Sequence, residues 1–196
     1  MSQSLGKIQD TDFAAIRSRV ALSTGAATVL TNVTLVPDAL QRLEAGGFLV
    51  EASRLVAHSL PKREAVWWAC MCAFHTAPPD LLENDRLARE IAENWVRQQT
   101  DKLRREAMAK AEAVDFGTPE AWAAVAAFWS GDSMAPEGQV AVPPAPHLCA
   151  TAVAGSVVLA AVRGDPSRQP ARLKRFLESG RNIAAGGPGR LSPEEP

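Results

Sequence analysis

The chain has 196 residues, 46% of them apolar, and its 21 basic and 22 acidic side chains leave a formal charge of −1. That length carries one sizeable domain, and the charge balance excludes a general electrostatic pull toward nucleic acid or an anionic membrane. Three cysteines make no paired framework, so reduced thiols in a cytoplasmic protein are the expectation.

"MSQSLGKIQDTDFAAIRSRV" holds no apolar signal segment. Residues 1–12 read as a flexible N-terminus, followed by a short helix over "TDFAAIRSRVAL" capped by Thr11 or Asp12. "STGAATVLTNVTLV" is rich in Thr and Val and is open between extended chain and helix, with 27–36 as the one strand-like run. Residues 37–60 read as a helical hairpin: Pro37 suits a first turn, and Gly46–Gly47 suits a stop before "FLVEASRLVAHSL". "GGFLVEASRLVAHSLP" resembles a single tetratricopeptide-type hairpin, but no second copy follows at a fixed spacing, so a repeat array is excluded.

Pro61 opens the next helix and Pro78–Pro79 close it. Asp80 and Glu83 have capping-box spacing before a long charged helical region that runs to Asp115. Its expected buried side is Leu87, Ile91, Trp95, Leu103, Ala107, Ala111 and Val114, with a break near Gln98–Asp101. Opposite charges recur four apart: Arg86–Glu90, Arg89–Glu93, Glu93–Arg97, Asp101–Arg105 and Glu106–Lys110. Each such pair contributes only ~0.2–0.5 kcal/mol.

"TPEAWAAVAAFWSG" reads as a helix capped by Thr118, with Trp122, Val125 and Trp129 on one stripe and Phe128 beside it. Residues 133–147 are a proline-rich surface loop. "LCATAVAGSVVLAAV" is 15 residues long, short of the ~20 that span a bilayer, so it reads as a buried core helix and no membrane insertion is expected. "PARLKRFLESGRNIAA" is a last amphipathic helix with a basic outer side, and 186–196 reads as a disordered tail. Together these elements predict an all-α, single-domain bundle of roughly seven to eight helices over residues 13–185, built from helical hairpins.

"AVWWACMCAFH" invites a metal reading. On a helix at about 100° per residue, Cys70 and Cys72 point about 200° apart and cannot grip one ion. A set of Cys72, His75, His147 and Cys149 has suitable donors, but nothing in the sequence brings the two pairs together, so no metal or other cofactor is expected. The bland reading is a core helix with a polar entrance at His58, Lys62, Arg63 and Glu64, where Arg63 could stack on an indole. A ligand site at that entrance, with His75, is the alternative. Nucleophile-elbow, P-loop, zincin and dinucleotide fingerprints are absent. A Cys72–His75 dyad lacks an oxyanion donor, so an interaction module is favoured over an enzyme. "RGD" at 163–165 matches an integrin-binding tripeptide but reads as a helix end before Pro166. Residues 163–196 carry seven Arg or Lys against four acids, and 116–162 carry three acids and no Arg or Lys. The basic residues Arg163, Arg168, Arg172, Lys174, Arg175 and Arg181 could meet an acidic partner, though interleaved aromatics for nucleic acid are missing.

"AHSLPKREAVWWACMCA", "AWAAVAAFWSGDSMAPEG", "VPPAPHLCATAVAGSVVLAA" and "FLESGRNIAAG" occur in that order. Over most of residues 37–187 they resemble an uncharacterised family of bacterial proteins of unknown function, loosely associated with type VI secretion loci. The family brings no catalytic residue with it. Its pattern stresses the Arg-Glu and the paired Trp rather than the cysteines, which weakens the metal reading further. The resemblance implies an adaptor or accessory protein of a bacterial assembly with a protein partner. The places expected to carry that role are Trp122, Phe128, Trp129, the proline-rich loop, and Arg172 and Arg175 on the last helix.

Overall fold

The computed structural model describes residues 5–8 and 12–195. Among them lie ten α-helices: α1 (Phe13–Ile16), α2 (Thr24–Val29), α3 (Val36–Ala45), α4 (Leu49–Ser59), α5 (Lys62–His75), α6 (Glu83–Gln98), α7 (Asp101–Glu112), α8 (Pro119–Trp129), α9 (Leu148–Val162) and α10 (Gln169–Ala184). Two 3-10 turns, Arg17–Arg19 and Pro166–Arg168, complete the order. The all-α expectation holds. The count exceeds seven to eight because α2 is helical and the charged region splits into α6 and α7.

The local chemistry explains both extra helices. Ser23 caps α2 by accepting from the Ala26 amide, and the helix ends after six residues in a turn where Asn32 takes a left-handed conformation at φ 61°. The strand-like reading of 27–36 survives only as an isolated antiparallel bridge between Asp12 and Leu35, the one such bridge among the described residues. The break at Gln98–Asp101 forms as expected. Gln99 takes a left-handed conformation at φ 51°, and Thr100 caps α7 through the Leu103 amide. Asp12 caps α1, while Thr11, the other candidate, lies outside the described residues. The Asp80–Glu83 capping box does not form. Glu83 is the first helical residue of α6, too early to reach back to a cap three positions before it, and it pairs with Arg86 at 2.5 Å instead.

Four of the five expected charge pairs form, and Glu106 meets Lys102 rather than Lys110. The buried face of α6 is turned by one residue from the expected stripe: Ala88 and Ala92 are sealed, while Leu87 and Ile91 sit on its flank. Small side chains let α8 and α9 approach closely, with Ala121, Ala124, Ala152 and Ala160 fully buried.

α5 runs through the middle, packed by α4, α6, α8, α9 and α10. Trp68, Cys70 and Cys72 have no exposed surface. The Trp68 indole N–H donates to the Phe176 carbonyl of α10 at 2.8 Å, which satisfies its one polar atom. α10 reaches α5 because residue 180 is glycine. A Cβ there would lie 2.9 Å from Val56 Cγ1 and 3.3 Å from Trp68 Cε2.

The tail differs from the disordered segment expected at 186–196. Residues 186–195 form a strap along α5, from Trp67 in its first half to His75 at its end. The Trp67 indole N–H donates to the Pro188 carbonyl at 2.7 Å, and the Glu194 amide donates to the His75 carbonyl at 2.7 Å. Gly189 has φ +58° and lies so close to Ile183 that a side chain has no room. The described part of residues 1–12 also packs: Ile8 is buried and the Lys7 amide donates to the Ala184 carbonyl at 2.8 Å.

Candidate functional site

The entrance expected at His58, Lys62, Arg63 and Glu64 is two places, because successive residues on the first turn of α5 diverge. His58 and Lys62 face one cavity of about 250 Å³ together with Arg19, His147 and Cys149. Arg63 and Glu64 face another, of about 280 Å³, with Lys7, Trp67 and Arg190. There the Arg63 Nε–H donates to the Val96 carbonyl at 2.9 Å. It closes the C-terminal turn of α6 instead of stacking on an indole. Glu64 pairs with Lys7 at 3.3 Å.

His75 belongs to neither place. Its ring sits at the far end of α5, edge-on to Phe176 at 5.8 Å, with Nδ1 against the Ser192 carbonyl of the strap. The alternative site of His58, Arg63, Glu64 and His75 is therefore not assembled.

The metal set is not assembled either. Cys149 and His147 lie by His58, whereas His75 faces the strap. No cluster of three or more His, Cys, Asp or Glu suited to a metal occurs among the described residues. All three thiols are free and buried. Burial pushes Cys70 and Cys72 far up, and Cys149 up to about 12. Protonated thiols are poor ligands and poor nucleophiles. The fold thus gives the cysteines a packing role. His147 precedes α9 without capping it through its side chain.

The expected basic face is largely taken up by internal pairs. Arg163 turns inward to Glu120, which is fully buried, and donates to the Ala73 carbonyl at 3.4 Å. The "RGD" tripeptide is thereby a turn that points its arginine into the core. Arg181 pairs with Glu44, and Arg168 with Glu194 at 3.2 Å. Arg172 is buried. Its guanidinium donates to the carbonyls of Ala161 at 3.2 Å and Arg163 at 2.5 Å, and to the Glu194 carboxylate at 2.8 Å. It is a structural clamp whose guanidinium is taken up within the fold. Lys174 and Arg175 remain exposed, with no ion pair among the described residues. Among the aromatics, Phe128 is buried under the Arg104 guanidinium at 4.8 Å. Trp122 and Trp129 are half-buried and meet edge-to-face at 6.4 Å.

The proline-rich loop is more organised than its composition suggests. The Met134 amide donates to the Val142 carbonyl at 2.7 Å, and the Ser133 hydroxyl accepts from the amides of Ala135 and Val142. Arg105 holds the Ala135 carbonyl at 2.7 Å. The closed loop presents Val140, 88% exposed, and Val142, 51% exposed.

A model of a protein family of unknown function, DUF6931, matches residues 39–184. The chain belongs to DUF6931. The match covers α4–α10 entirely and α3 from Ala39 onward. The DUF6931 region thus includes His58, Arg63, Glu64, His75, the proline-rich loop and the α9 N-terminus, while Arg19 and the strap flank it. Neither a curated protein nor a solved structure matches the chain.

Proposed function

We propose that the protein is a non-enzymatic interaction module, an adaptor or accessory component of a bacterial, secretion-related assembly in the cytoplasm, and that it docks a protein partner through loop 133–147. The observation that carries this reading is the pinned loop with Val140 and Val142 outward. Exposed aliphatic side chains cost free energy in water unless something covers them. A loop already closed by hydrogen bonds loses little further entropy on binding. Pro143 and Pro144 keep its return limb extended, a form suited to an apolar groove on a partner.

The test is affinity capture from the native host's lysate with the parent chain and with Val140→Asp/Val142→Asp, read by mass spectrometry. One near-stoichiometric protein held by the parent and lost by the variant supports the reading. Equal capture by both chains sinks the loop as the docking element, and no partner for either sinks the adaptor reading.

A further inference from the structure

The cavity beside His58 has a composition that calls for a ligand of one sign. Its basic side chains come from four places in the chain: Arg19 from the 3-10 turn, His58 from α4, Lys62 from α5 and His147 just before α9. No Asp or Glu lines it. The first turn of α9, with Cys149 and Ala150, forms part of the wall and carries no side-chain cap. The N-terminal end of that 15-residue helix therefore borders the cavity, and it carries the positive end of the helix dipole. Ile16 and Leu60 form an apolar part of the wall, which strengthens the field of the charges around it. The neighbouring cavity shares Arg19 and His58 and adds Arg54, again without a carboxylate.

We propose that this cavity binds a phosphate-sized oxyanion, as free phosphate or as the monoester group of a small metabolite. Arg19 and Lys62 supply fixed charge at the rim, the α9 first turn supplies amide donors, and His58 and His147 supply donors that strengthen on protonation. A volume of about 250 Å³ suits a headgroup rather than a large ligand. The cavity penalises a charge on His58: burial, then Arg19 and His147, lower its pKa to about 4. A bound dianion reverses the electrostatic part of that penalty, so the pKa of His58 rises on binding. The groups that face His58 are Arg19, Arg54, Lys62 and His147. The inference does not depend on the docking loop.

The chain has three histidines, so their ring resonances can be titrated by NMR one by one. The full chain is titrated in inorganic phosphate, in phenyl phosphate, and in chloride of equal ionic strength. Phosphate should raise the pKa of His58 and displace the ring resonances of His147, leaving those of His75 in place as an internal control. Arg19→Gln/His147→Gln, two exposed positions, should keep the far-ultraviolet spectrum and bind at least about tenfold more weakly, the loss of a charge-assisted hydrogen bond. Tighter binding of phenyl phosphate assigns the site to a monoester, and tighter binding of inorganic phosphate to the free ion. Unmoved histidines in both phosphates, or binding unchanged in the double variant, overturn the proposal.

Discussion

Arg163 and Glu120 show how much one buried pair can decide. Glu120 has no exposed surface, and one of its carboxylate oxygens has no partner besides. Arg163 keeps 17% of its side chain exposed. The two removals are therefore unequal. Arg163→Met strands a buried carboxylate, whereas Glu120→Gln leaves an arginine that can turn to water. Stranding one partner of a buried pair costs about 3–5 kcal/mol, so urea denaturation should show a loss of that size for Arg163→Met. The loss for Glu120→Gln should be clearly smaller. Equal losses would show that the pair is governed by side-chain packing instead of charge. The sequence showed both residues, but one was read within a helix and the other within an RGD tripeptide. They are 43 positions apart, and no local pattern joins them.

At the scale of elements, the strap shows local composition overruled by distant partners. "GGPGRLSPEEP" has the glycine and proline content of a free tail. It docks because α5 and α10 offer donors along its path: the Trp67 indole, the Ser179 hydroxyl at 2.6 Å from the Gly189 carbonyl, and Arg172. Burial pushes the Glu194 carboxyl up, but the Arg172 hydrogen bonds with the Arg172 and Arg168 charges outweigh it and hold the carboxyl below its usual range. The sign follows. A carboxyl with a lowered folded pKa adds stability above its unfolded value, and that stability is lost as pH falls through the folded value. Hydrogen exchange should find residues 186–195 protected near neutral pH and progressively less protected as the pH drops below about 4. Arg172→Ala should expose the strap at all pH values and destabilise the fold by about 1.5–3 kcal/mol. Unchanged strap protection in that variant would refute the clamp.

Across the whole molecule, one continuous apolar core reaches from Phe13 and Val20 near the start to Ile183 near the end. With α5 touched by five other helices, no group of helices has a core of its own. Unfolding should therefore be a single transition, with tryptophan fluorescence and far-ultraviolet circular dichroism giving coincident midpoints. Two separated midpoints would show that α1–α3 or the strap melts independently. Val140→Asp/Val142→Asp should leave that midpoint in place, since both side chains lie outside the core. Lost binding in that variant then reports on the surface alone.

Periodicity, caps and prolines in the sequence by themselves determined the all-α class, the hairpin at 37–60, the break near residue 99, the Thr118 cap and the central role of α5. Those signals act within one turn of helix or a few residues of chain. Only the tertiary structure decided that His58 and Arg63 open on different cavities. It also decided that Arg172 is a clamp, that the tail is a strap, and that Arg19 joins His58, Lys62 and His147. Each depends on chain segments tens of residues apart, and their meeting is set by how apolar faces pack. Residue order alone does not contain that geometry in readable form.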